Sequence, residues 1–508
     1  MRTAWACGFL VLTACSSSSS SDNWPAHEWT HGTPEQAGVS SRSLVTLLDA
    51  VAGANAELHE VLIARHGTVA LDAQFFPYDG TRPHDVASVT KTLTALAVGR
   101  ALHTGALSSV DSALLSFFPD AAIENDGADK RAITLADLLT MRSGLQCESD
   151  VASVQGMTSS ASCVQYGLDL TMDAAPGTRW AYCSAGPHLL SAVVGRATAT
   201  PEDAWLRSEV FDPIGVGDVI WPRDAQGVAH GWGDARLHAE DLARIGDLML
   251  SKGTWDHQTI VDAAWLAAAT TNQVGAQAPP DGYGYLTWPR AAGGFYANGR
   301  GGQYVFVLPE QGLVVVTLGA ATPDVAHTYG GILANQLLPA LRDAPLPADP
   351  EGDAMLADAV ARVAQPPAAN PPPSPPAVTA EVDGVLWTTD ANQLGWTSLS
   401  VSWSTDQATV TLGIGATWTA FDVGLDGVPR VTRSIVLDTD ARHSDLDIAA
   451  VGSWTSATSF EITYDTIDRI DAGTITLDFA SPGVQVDVYE RTYLLEDIAF
   501  GGERSGSP

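Results

Sequence analysis

Thirteen consecutive residues, Gln365 to Ala377, hold seven prolines, and the chain is written in different textures on either side of them. Proline fixes φ and removes a backbone donor, so this stretch cannot join a helix or a sheet ladder and reads as a semi-rigid linker. It divides the 508 residues into two folded units, as a chain of this length requires. Before it, from about residue 33 to 343, helical and strand patterns alternate. Val61-Leu62-Ile63-Ala64-Arg65, His66-Gly67-Thr68 and Val69-Ala70-Leu71 predict a hairpin. Leu93, Leu96, Ala97 and Leu102 recur at helical spacing, and Gly105 is a natural stop. Gln303 to Leu308 and Leu313 to Leu318 predict two strands joined by Pro309-Glu310-Gln311-Gly312, and a short helix is expected over Met355 to Val363. After Val378 only short alternating runs remain, such as Leu399-Ser400-Val401-Ser402-Trp403 and Val484-Gln485-Val486-Asp487-Val488-Tyr489. They predict an antiparallel all-β sandwich or barrel with no chemistry of its own, an accessory domain.

The first residues carry an address. Arg2 precedes a short apolar run, Ala4 to Leu12, far below the ~20 residues of a membrane span. Leu12-Thr13-Ala14-Cys15 resembles a bacterial lipobox and is followed by serines from Ser16 to Ser21. The expected organisation is a lipoprotein signal peptide over 1–14, a Ser-rich tether over 15–32 and an α/β unit over 33–343. A helix and Pro-rich linker over 344–377 and the β-domain over 378–508 complete it. Cys15 would be lipidated, and the protein exported and held at a membrane, in the periplasm or at the outer membrane. In an oxidising compartment Cys147 and Cys163 are the candidate disulfide, with Cys183 left as a buried thiol. The net charge of −33 excludes nucleic acid, whose phosphates need clustered Lys and Arg. Neither a cofactor nor a metal is expected, since no spacing such as His-Glu-x-x-His occurs.

Chemistry concentrates around one of only three lysines. Ser88-Val89-Thr90-Lys91 sets a hydroxyl and an amine one helical turn apart, on one face. A serine hydroxyl needs a base to take its proton, and a desolvated lysine can serve. Ser88 stands where the helix begins, so its N–H is free to hold a developing oxyanion. Read blandly, the tetrad is a helix cap followed by a solvated lysine. Tyr182-Cys183-Ser184 follows Pro176-Gly177-Thr178 and precedes a helical pattern. A tyrosine beside a cationic lysine can relay a proton, and Ser184 can hydrogen-bond the pair. Ala297-Asn298-Gly299-Arg300-Gly301-Gly302-Gln303 leads into a strand, and its glycines permit close backbone approach to a ligand.

These three elements, in this order, resemble the serine β-lactamase and penicillin-binding fold. Their surroundings resemble the class C β-lactamase-related hydrolases, among them carboxylesterases, D-amino-acid peptidases and 6-aminohexanoate-dimer hydrolase. Leu138-Leu139-Thr140-Met141-Arg142-Ser143-Gly144-Leu145, Asp241-Leu242-Ala243-Arg244 and Tyr283-Gly284-Tyr285 carry that likeness. The resemblance implies an α/β (α+β) sandwich with an antiparallel sheet and a helical region, the site lying between them. It implies Ser88 as the acylated nucleophile, with Lys91 and Tyr182 sharing the proton work in an order left open. Ser184 stands where many relatives have Asn. The backbone N–H of Arg300, after Gly299, would complete the oxyanion hole, although Gly301 is an alternative match. One departure stands out. Ala297 occupies the position, two before Gly299, where relatives that are true β-lactamases carry Lys, and others His, to bind a substrate carboxylate, and Arg300 is the nearby cation that could compensate. The expected activity is hydrolysis of a small ester or amide through an acyl-serine. A β-lactamase or D-alanyl peptidase is the alternative, and a non-catalytic binding lipoprotein the reading from another class.

Overall fold

The computed structural model describes residues 29–54, 57–147, 150–275, 279–439, 445–479, 483–492 and 497–505. The signal peptide and nearly all of the tether, Cys15 included, lie outside them.

The N-terminal unit is built on a seven-stranded sheet. Its strands are β1 (Thr30–His31), β2 (Leu58–Arg65), β3 (Thr68–Gln74), β6 (Trp288–Pro289), β7 (Phe295–Gly299), β8 (Gln303–Leu308) and β9 (Leu313–Gly319). The intervening numbers belong to a small ladder of β4 (His84–Asp85) and β5 (Arg236–Leu237). The sheet order is β1-β3-β2-β9-β8-β7-β6, antiparallel throughout except where β1 runs parallel to β3. Residues 29–32 were expected in the tether, but Trp29 is buried, its indole donates to Glu240 O at 3.1 Å, and β1 extends the sheet.

All eight residues of β2 and all seven of β9 are buried, because helices cover both faces. Alternation sorts their side chains: Val61 and Ile63 pack under α1 (Ser41–Gly53), while Leu62 and Ala64 join the larger core that holds α2 (Val89–His103). The remaining helices needed below are α3 (Cys163–Asp169), α4 (Ala185–Thr198), α5 (Ala239–Leu250) and α6 (Pro350–Val363). α6 begins earlier than the sequence pattern suggests. Pro350 sits in its first turn, and the Asp349 side chain caps Gly352 N–H at 3.0 Å. It lies on α1 through Arg42, which bridges Asp349 and Glu351, so this helix belongs to the N-terminal unit.

The second unit is a ten-stranded antiparallel barrel. In chain order its strands are β10 (Trp387–Thr389), β11 (Trp396–Trp403), β12 (Gln407–Ile414), β13 (Thr417–Gly424), β14 (Arg430–Ile435), β15 (Leu446–Trp454), β16 (Ser459–Thr466), β17 (Ala472–Asp478), β18 (Gly483–Glu490) and β19 (Ile498–Arg504). In the order β13-β12-β11-β10-β19-β18-β17-β16-β15-β14 the two ends of the sheet meet where Gly424 of β13 pairs, in parallel, with Val451 of β15. The interior is the alternate residues of each strand, among them Leu399, Val401, Phe421, Phe460, Ile462 and Val486.

The barrel is docked on the N-terminal unit. Arg82 bridges Asp445, Asp447 and Asp468, and His59 Nε2 lies 3.0 Å from Asp465 Oδ2. Arg491 reaches Glu57, and Asp85 N–H donates to Asp468 O at 3.1 Å. Asp447 and Asp468 are 2% exposed. Charges buried to that extent persist because each is paired, with Arg82 across the boundary and with Arg433 or Arg469 inside the barrel.

Candidate active site

The segment before α2 is held in an unusual conformation. Ala87 has φ of +45°, a region non-glycine residues rarely enter. Its N–H donates to Asp85 Oδ1 at 2.7 Å, its carbonyl accepts from Thr90 Oγ1 at 2.6 Å, and Val86 N–H donates to Ala235 O at 2.9 Å. Burial, with the Asp234 charge nearby, pushes the Asp85 carboxyl up to about 6. The turn delivers Ser88 as the N-cap of α2, so its N–H lies outside the intrahelical ladder. The Ser88 hydroxyl makes no capping bond; instead it accepts from Lys91 Nζ at 2.8 Å.

Lys91 is 1% exposed, because α2 is buried on nearly every side. Its ammonium has three polar contacts: Ser88 Oγ, the Trp232 carbonyl at 2.7 Å, and the face of the Tyr182 ring, whose centroid is 4.8 Å away. A cap with a solvated lysine is therefore not what this tetrad forms. Tyr182 leans on Trp288 (ring centroids 6.3 Å, stacked), and Trp180, Tyr283 and Tyr296 continue the wall, with Tyr283–Trp288 centroids 4.8 Å apart and Trp288–Tyr296 6.2 Å. Ser184 is 1% exposed and is the N-cap of α4 directly beyond Cys183.

The Trp232 carbonyl was invisible to sequence reasoning, since any residue supplies one. Its segment is pinned along α2: Thr94 Oγ1 donates to Gly231 O at 2.8 Å, and Ala235 N–H donates to Thr90 Oγ1 at 3.3 Å. A Cβ at Gly231 would lie 2.5 Å from Pro187 O, and that glycine was the one available local signal.

The third motif ends β7 beside the same turn. A Cβ on Gly299 would stand 2.5 Å from Val86 O and 3.2 Å from Ala87 Cβ, so only glycine lets the strand come this close. Gly301, with φ of +82°, faces Ile470 of the barrel instead. Gly299 is thus the glycine beside Ser88, which puts the peptide N–H of Arg300 next to it in sequence. The Arg300 side chain does not face this site. Its guanidinium donates to Thr492 Oγ1 and to Asp471 Oδ1 (3.3 Å), with Glu490 Oε1 at 3.7 Å, all on the barrel. Ala297 is 5% exposed in the core. Neither residue of this motif, then, offers a cation to a substrate carboxylate.

The expected Cys147–Cys163 disulfide is corrected. Cys147 is bonded to Cys183, with Cα atoms 5.6 Å apart, and Cys163 lies outside that bond, buried. Spacing favoured the shorter loop, but α3 starts at Cys163 and turns its thiol toward Met157 O, 3.3 Å away.

The chain is 26% identical over 300 residues to penicillin-binding protein 4 of Amycolatopsis lactamdurans, covering 50% of this chain and 77% of that one. A Bacillus anthracis structure described as a 6-aminohexanoate-dimer hydrolase superposes with a TM-score of 0.51 at 15% identity, over 61% of this chain and 86% of that one. The octameric penicillin-binding protein homologue of Pyrococcus abyssi gives 0.47 at 14% identity, over 90% and 99%. The Beta-lactamase family profile matches residues 44–338, more than half of the chain, and with this fold around Ser88 the chain belongs to the Beta-lactamase family of hydrolases.

Proposed function

We propose that the protein cleaves a small ester or amide through an acyl-enzyme on Ser88. The observation that carries this is the 2.8 Å contact between Lys91 Nζ and Ser88 Oγ, made by an amine that is 1% exposed and already donates to the Trp232 carbonyl. As the general base, Lys91 Nζ keeps its bond to the Trp232 carbonyl and accepts the Ser88 proton as Oγ attacks the substrate carbonyl carbon. The developing oxyanion is held by the N–H groups of Ser88 and Arg300. The proton returns to the leaving oxygen or nitrogen through Lys91 or Tyr182, and water repeats the sequence to release the acid and free Ser88. The Lys91 Nζ atom, 4.8 Å from the centroid of the Tyr182 ring, supports a proton-handling role for the phenol.

The aromatic wall of Trp180, Tyr182, Tyr283, Trp288 and Tyr296 favours an apolar acyl or leaving group. Ala297, and Arg300 turned toward the barrel, disfavour penicillin-like carboxylates. The test is Ser88→Ala assayed on a nitrophenyl ester, an amide oligomer and nitrocefin, together with labelling by a fluorophosphonate. Ester or amide turnover and labelling are expected in the wild type and abolished in the variant, with folding intact. Undiminished turnover in the variant ends the acyl-serine reading, and turnover of nitrocefin alone moves the protein to the β-lactamase alternative.

A further inference from the structure

Behind the catalytic face lies a second group of reactive side chains that the proposed hydrolysis does not use. Cys163 at the start of α3, His188 in α4 and Asp224 in the loop before β5 bring a sulfur, an imidazole nitrogen and a carboxylate oxygen within 4.8 Å of one another. The His188 and Asp224 side chains are 0% and 1% exposed, and Cys163 is 7% exposed.

The arrangement is positioned. Asp224 Oδ1 accepts the backbone N–H groups of Gln226 (2.8 Å) and Val228 (3.0 Å), which fixes the carboxylate and leaves Oδ2 facing His188 Nε2 at 3.1 Å. His188 Nδ1 is fully buried and has no hydrogen-bond partner among the described residues. The nitrogen that would ligate together with Asp224 is Nε2, the one facing Oδ2; Nδ1 lies on the other side of the ring.

We propose that Cys163, His188 and Asp224 are ligands of a buried transition-metal site of the Zn²⁺ class. Thiolate and imidazole select such an ion over Mg²⁺ or Ca²⁺, which prefer oxygen-only shells. Binding releases the Cys163 proton to solvent, and the thiolate and carboxylate charges then balance the +2 ion, leaving the buried unit neutral. A fourth position remains for water, as in three-ligand protein sites.

The consequence is local. The ion would clip α3 and α4 to the loop that continues through His230, whose ring packs edge-on against His188 (6.1 Å) and stacks on Trp232 (5.5 Å). Trp232 presents the carbonyl that receives Lys91.

The test uses the full chain, loaded with Zn²⁺ or Co²⁺ both as purified and during refolding, then dialysed and measured by elemental mass spectrometry. One ion per chain is expected, and the Co²⁺ form should show a near-ultraviolet thiolate charge-transfer band. Cys163→Ser is nearly isosteric, and Asp224→Asn retains the oxygen that accepts Gln226 and Val228. With both variants folded by circular dichroism, each should bind Zn²⁺ ten- to a hundredfold more weakly or worse, and Cys163→Ser should lose the band. A wild-type chain that takes up no ion by either route overturns the proposal. So does a cobalt band that survives Cys163→Ser, or a non-reduced digest that finds Cys163 in a disulfide.

Discussion

The Arg300 side chain offers a way to ask whether the barrel takes part in catalysis. Its backbone N–H is the one proposed above for the oxyanion hole, while its guanidinium is held by Asp471, Thr492 and Glu490 of the other unit. Consider Arg300→Gln. Glu490 is 1% exposed and would lose this cation while keeping its bonds from Thr492 N–H and Oγ1. Breaking a fully buried ion pair costs about 3–5 kcal/mol, but Arg300 and Asp471 are 23% and 18% exposed, so about 2–3 kcal/mol is the reasonable figure here. That corresponds to a melting temperature roughly 5–10 °C lower. Deleting an oxyanion donor outright costs about 10²–10³ in kcat; loosening the turn that aims it should cost about ten- to a hundredfold, with KM little changed. Steady-state hydrolysis of a nitrophenyl ester well below the melting transition reads both constants, and Arg300→Lys should recover part of the loss. A chain ending at Ala364 removes all three anchors and should be at least as impaired. If Arg300→Gln melts earlier yet keeps kcat within about twofold, the barrel only braces the fold and the positioning argument fails.

Three further outcomes are expected. Tyr182→Phe keeps the ring on Trp288 and over Lys91 but removes the hydroxyl, so kcat should fall by ~100-fold or more with an unchanged melting temperature; a loss explained by unfolding would reduce Tyr182 to a packing residue. Cys183→Ser opens a bridge between residues 36 apart and should cost about 4 kcal/mol in the chain-entropy model, whereas Cys163→Ser without added metal should cost far less; equal losses by denaturant titration would contradict the Cys147–Cys183 pairing. The Glu202 carboxyl is pushed up from 4.5 to about 7 by burial, so the folded chain holds its proton more tightly than the unfolded one. The stability this contributes is fully present below about pH 4.5 and is lost as pH rises through about 7, a span of about 3 kcal/mol. Glu202→Gln should flatten that stretch of the denaturation profile, and a slope identical to wild type would show that Glu202 does not titrate there.

Much of this was legible in the chain. Turn chemistry and alternation marked the β2–β3 hairpin and the β8–β9 pair, because a sheet covered on both faces must write apolar runs between glycines. The Ser88–Lys91 spacing set both side chains on one turn of α2 before any coordinate was known, since helical periodicity is local. The proline run announced the barrel as a separate texture. What lay beyond reach was every contact between residues distant in sequence. The short spacing of Cys147 and Cys163 suggested a bond, but the approach of the chain at residue 183 gave Cys147 a different partner. The motif around Arg300 left its side chain free to face substrate, and only the docked barrel turned it away, toward carboxylates some 170 to 190 positions further along. The Trp232 carbonyl on Lys91 and the gathering of Cys163, His188 and Asp224 carry no spacing signature at all. Local pattern determines which elements form and which residues share a face. Which faces meet is decided by packing and burial over the whole molecule, and in this chain that placed the acceptor for Lys91, the orientation of Arg300 and the disulfide.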